Sequence, residues 1–179
     1  TWKQWVLLNP YRVIKYNLNN MSGDMDIALA YDPRMATPKN LWDASKDLIG
    51  HHRGKGLTAE FQRAVKLGVI DSGLTASEIP DISKSGFFKA ITGSKPGLLL
   101  KYWHNVKNFT QWRENILRLT AYRYFQKKID SGEKSVYGAS KPAEVDAIKN
   151  RDEKAAKLAR ELIGDYGNIS EAGQWVRKH

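Results

Sequence analysis

Cysteine is absent from the 179 residues. Disulfides, thiolate metal sites and thiol catalysis are thereby excluded, and the fold must hold without covalent staples. Histidine is scarce and scattered. His51 and His52 are adjacent and would point about 100° apart on a helix, His104 has no histidine one turn away, and His179 is terminal. Nothing matches His-Glu-x-x-His, so neither a metal site nor any other cofactor is expected. Long apolar runs are missing too. The longest, Ile27 to Tyr31, falls far short of the roughly 20 residues of a membrane span. No secretory leader is legible. Acids are under-represented, 19 Asp+Glu against 29 Lys+Arg, and the net charge is +10. Such an excess points to an anionic partner, whether nucleic acid, an acidic protein surface or anionic lipid.

Strand signals are weak as well. No period-two alternation is sustained and no Asn-Gly or Asp-Gly hairpin occurs. What remains is helical periodicity. Asn9-Pro10 starts a first helix that carries Tyr11, Ile14 and Leu18. Met21, Met25, Ala28 and Leu29 extend its stripe, with a break expected at Ser22-Gly23-Asp24 and an end at Asp32-Pro33. Pro38 opens a second helix with Leu41, Trp42, Leu48 and Ile49, stopping near Gly50; His51 to Gly56 reads as a basic loop. Thr58 caps a third, with Glu60, Phe61 and Ala64, closed by Gly68. Thr75 and Glu78 space a short helix before Pro80, and residues 81–95 read as a loop interrupted by Phe87-Phe88.

The strongest element runs from Pro96 to about Ile129. Leu99, Tyr102, Trp103, Val106, Phe109, Trp112, Ile116, Leu119 and Tyr124 give it a wide apolar stripe. Its length would be roughly 50 Å at the usual helical rise. A further helix starts at Pro142 and carries Val145, Ile148, Ala155, Leu158 and Leu162. A last one, with Trp175, opens at Ser170. The expected fold is all-α, about six helices around one long central helix over 96–129, with little or no sheet. The chain opens at Thr1 without a Met, so 1–179 is expected to be a single helical domain or a fragment of a much larger protein. A sub-boundary is placed in the loop 81–95.

No catalytic pattern stands out. Gly54-Lys55-Gly56 lacks the phosphate-loop spacing, and Gly-x-Ser-x-Gly does not occur. Asp24 and Asp26 do not share a helix face, and capping of a helix restart accounts for them better than catalysis. An enzyme would need Asp24, Asp26 and Asp165 to converge in one pocket.

The basic signal is concentrated. Lys84, Lys89, Lys95, Lys101, Lys107, Arg113, Arg118, Arg123, Lys127 and Lys128 face a single acid, Glu114, within one stretch of chain. Tyr102, Trp103, Phe109, Trp112, Tyr122, Tyr124 and Phe125 interleave with them. Bases attract phosphates and aromatics can stack on nucleobases, so these ten form the candidate nucleic-acid face. The helical spacing of the aromatics favours a plainer assignment, core on one side and a solvated cationic face on the other.

Three stretches carry a resemblance. They are Trp2 to Asp24, centred on Lys15-Tyr16-Asn17-Leu18-Asn19-Asn20 and Ser22-Gly23-Asp24; Arg113 to Phe125; and Ala155 to Ser170. Together they resemble a helical domain of the very large polyvalent proteins of bacteriophages and mobile elements. In that family an apolar Pro-Phe segment follows the last helix, and this chain ends at His179 before one. The resemblance implies a module of a phage internal virion or DNA-ejection protein, carried in the particle and delivered into the host cell with the DNA. It implies a structural role, with other virion subunits or other parts of the parent polypeptide as partners and DNA as a further contact. It brings no catalytic residue. The alternative left open is a dedicated nucleic-acid-binding module.

Overall fold

A computed structural model describes residues 10–52, 58–70, 97–133 and 142–163. They form six helices: α1 Pro10–Tyr31, α2 Pro38–His52, α3 Ala59–Lys66, α4 Gly97–Asp130, α5 Pro142–Asp146 and α6 Arg151–Ile163. No strand occurs among the described residues, so the all-α expectation holds. The expected helices near 75–80 and 170–179, the loop 81–95 and the cap at Asn9 lie outside the described residues.

Local chemistry sets most of the ends. Thr58 is extended, and its hydroxyl accepts from the Phe61 N–H at 3.2 Å, as an N-cap should. Both α3 and α4 close through a glycine with positive φ, Gly68 at 67° and Gly132 at 74°. Around each, the next two N–H groups bond back into the last turn: Gly68 to Val65 and Val69 to Ala64, Gly132 to Ile129 and Glu133 to Lys128. A side chain at either glycine would be strained there.

Three boundaries differ from the sequence expectation. The break at Ser22-Gly23-Asp24 does not occur, and α1 is continuous. Ser22 and Gly23 sit on its exposed side, while Asp24 is turned toward α4 and held there by Arg113 rather than capping a restart. α2 runs on through His51 and His52. The helix expected from Pro142 is split in two. Asn150 ends the connection by accepting the N–H groups of Asp152 and Glu153, which starts α6 afresh.

α4 is the axis of the fold. Its second half packs against α6, α2 and α1. α1 runs parallel to it: Asp24 meets Arg113, and one helical stretch further on the Tyr31 ring lies edge-on to Phe125 at 5.5 Å. α6 returns antiparallel, its first turn at Asp152 bonded to Gln126 and its Arg151 to Asp130. The core gathers Ala28, Met35, Leu48, Phe61, Leu119, Tyr122, Phe125, Val145, Leu158 and Ile163. Between Leu117 and Gln126, α4 is buried or half-buried at every position. A helix enclosed on all sides has no solvated face for its polar residues.

Candidate interaction surfaces

The enclosure of α4 sorts the ten basic residues. Lys84, Lys89 and Lys95 lie outside the described residues, as does the side chain of Lys107. Lys101 and Lys127 are exposed. The others face inward. Arg113 is 3% exposed and Arg118 2%. Arg113 holds Asp24 at 3.2 Å and the neighbouring Glu114 at 3.1 Å. Burial pushes the Asp24 carboxyl above the usual carboxylate range, while the charges of Arg113 and Arg118 pull it down. Arg123 is half-buried and donates to Asp47 of α2 and to Glu60 of α3. Burial works against its charge, yet the bond to Asp47 and the charge of Glu60 hold its guanidinium protonated beyond its ordinary range. Lys128 sits 5.5 Å from the centroids of both Tyr31 and Tyr124 and pairs with Glu133 at 3.5 Å.

The partners that enclose these bases come from afar. Asp24 is 89 residues from Arg113, Asp47 is 76 from Arg123, and Glu60 is 63 from it. Counting acids within the basic stretch finds only Glu114, so sequence reasoning missed them, and no local spacing marks them. The aromatics divide similarly. Tyr122 and Phe125 are core, Tyr102, Trp112 and Tyr124 are half-buried, and Phe109 is exposed with its ring stacked on Trp112 at 5.8 Å. The side chain of Trp103 lies outside the described residues.

A cleft of about 870 Å³ opens between α2, α3 and the second half of α4. Its walls are charged but internally matched: Arg123 with Asp47 and Glu60, Lys46 with Asp43, Arg151 with Asp130. Lys127 is the one base on these walls without an ion pair among the described residues. A lining of this kind holds its ions on one another and leaves little charge for a phosphate. At one edge Asp32 accepts from the Arg34 side chain and backbone and from the Tyr124 hydroxyl. The Arg34 hydrogen bond, with that of Tyr124, holds the Asp32 carboxyl well below the usual range despite its burial.

Of the acids weighed for catalysis, the two that are described do not gather. Asp24 is committed to Arg113, Asp26 is exposed on α1, and Asp165 lies outside the described residues. Among the described residues no group of three or more His, Asp or Glu could hold a metal ion. No described helix is long and apolar enough to cross a membrane.

One further stretch of the described surface is apolar. Ile14, Leu18, Met21 and Leu29 of α1 are 58%, 61%, 43% and 41% exposed, and Tyr11 heads the same row. Their spacing of three and four residues, bridged by half-buried Met25, makes one stripe along the helix. It lies beside the Asp24–Ala28–Tyr31 edge that packs on α4. Set against known proteins, the chain matches no described family, no curated protein and no solved structure.

Proposed function

We propose that this chain is a non-enzymatic helical structural module of a phage internal virion, DNA-ejection or polyvalent protein, one that assembles with other chains. The observation that carries the assembly reading is the exposed apolar stripe of α1. A continuous row of this kind marks a docking face far more often than a scatter of single exposed residues does. The phage attribution is supported by the resemblance of Trp2–Asp24, Arg113–Phe125 and Ala155–Ser170 to polyvalent-protein helical domains. In this reading the module travels in the particle and enters the host cell with the DNA.

The second reading, a nucleic-acid-binding module, is favoured by the net charge of +10 and by exposed Lys101 and Lys127. It is the weaker of the two because Arg113, Arg118, Arg123 and Lys128 are engaged within the fold. Mass spectrometry of purified particles tests the first reading. Peptides of this chain at a fixed copy number per particle support it, and their absence from particles overturns it. Titration with duplex DNA at low salt tests the second, since a phosphate-binding face loses affinity steeply as salt rises. Failure to bind at low salt removes it.

A further inference from the structure

We propose that α1 pairs antiparallel with α1 of a second copy of this chain, through the stripe Ile14–Leu18–Met21–Met25–Leu29. The pairing rests on the assembly reading and names its partner. The argument begins with two charges. Lys15 and Asp26 are both exposed, and neither has an ion-pair partner among the described residues. They lie eleven residues apart, about three full turns, so they project from nearly the same flank of α1, beside the apolar stripe. That separation along one helix is roughly 16 Å, too far for them to meet within a single copy.

A twofold axis perpendicular to α1 resolves the mismatch. In an antiparallel pair each flank faces the same flank of the partner helix, with the order of residues reversed. An axis level with Asn20 and Met21 sets Lys15 of each copy against Asp26 of the other, forming two equivalent ion pairs. The same register lets the apolar rows interdigitate. Ile14 of one copy falls between Met25 and Leu29 of the other, and Leu18 between Met21 and Met25, the knob-and-hole arrangement of paired helices. A parallel pair instead sets each flank against the opposite one, and Lys15 then never meets Asp26. Charge and stripe therefore select the same orientation and the same register, and a two-fold pair closes on itself without exposing a new apolar edge.

The test uses the 179-residue chain in analytical ultracentrifugation over a range of concentrations. A dimer that dissociates on dilution is expected. Leu18→Lys should leave a monomer whose helical circular dichroism is unchanged, because Leu18 is outside the core. Lys15→Glu or Asp26→Lys alone should raise the dissociation constant about three- to tenfold, and the double swap should return it close to the starting value. Each residue is exposed, so folding survives these changes. A monomer at every concentration overturns the proposal, as does a dimer in which the double swap fails to restore affinity. The outcome separates from that of the assembly reading. A monomeric chain that is still present in particles, and is lost from them on Leu18→Lys, means that the stripe docks on a different subunit. Absence from particles removes the assembly reading whatever the mass.

Discussion

Asp32 is small and buried, and four donors converge on it, the Arg34 backbone N–H, Nε and Nη2 and the Tyr124 hydroxyl. Its carboxyl is held below the ordinary value of about 3.9, so the folded state prefers the ion. Stability from this group is then fully present above the ordinary value and is lost as pH falls below it. Asp32→Asn should lower the melting temperature at pH 7 by several degrees and flatten its fall between pH 5 and 3. Thermal denaturation across that range decides it, and an unchanged acid limb would remove Asp32 from the account. Tyr122 makes the opposite case. Its ring is fully buried and its hydroxyl has no hydrogen-bond partner among the described residues. Burial pushes the phenol up to about 12, with the charges of Asp152 and Glu60 adding to the rise. A desolvated, unsatisfied hydroxyl costs stability, so Tyr122→Phe should stabilise the chain by about 1 kcal/mol in urea denaturation. A loss of similar size would mean that the hydroxyl is bonded after all.

Helix α4 is the element on which sequence and structure diverge most. Its length and ends were legible: Pro96 to Ile129 was expected and Gly97–Asp130 is found, because Pro and Gly punctuate it. Its radial arrangement was not. A wide apolar stripe suggests one greasy side and one cationic side, but neighbours surround the second half of the helix. Arg113 and Arg118 are therefore interior, held by charges delivered from α1 and from Glu114. Removing one partner of such a buried group leaves the other uncompensated. Arg113→Met should cost about 3 kcal/mol, and adding Asp24→Leu should recover part of it. Equilibrium urea denaturation of the single and double variants measures both, and additive losses would show that the two residues do not act together.

At the scale of the molecule the positive charge is more evenly spent than its clustering suggests. Much of the α4 excess is matched by acids of α1, α2 and α3, leaving Lys101 and Lys127 as its exposed part among the described side chains. Duplex DNA should therefore bind weakly at about 50 mM salt and be released by about 200 mM. Lys101→Glu with Lys127→Glu should lower the low-salt affinity severalfold and reduce the salt slope by about two. Fluorescence anisotropy reads both, and an unaltered affinity in the double variant would place DNA contact elsewhere in the chain. The apolar stripe of α1 and its flanking charges Lys15 and Asp26, without ion pairs among the described residues, make self-association the stronger expectation.

The all-α class, the absence of thiol chemistry, the capped start and glycine-closed end of α3 and the extent of α4 followed from the sequence alone. Each depends on residues within a few positions of one another, and periodicity and turn chemistry are local properties. The continuity of α1 through Ser22-Gly23-Asp24 and the inward turn of Arg113, Arg118 and Arg123 were decided by tertiary structure, whereas the split at Asn150 is a local cap that competes with helix continuation. In each case the deciding contact or enclosure depends on how elements distant in sequence pack, or on competition that propensity does not rank. Whether a charge faces solvent or a buried partner is a property of the neighbours that surround its helix, and only the packed chain supplies them.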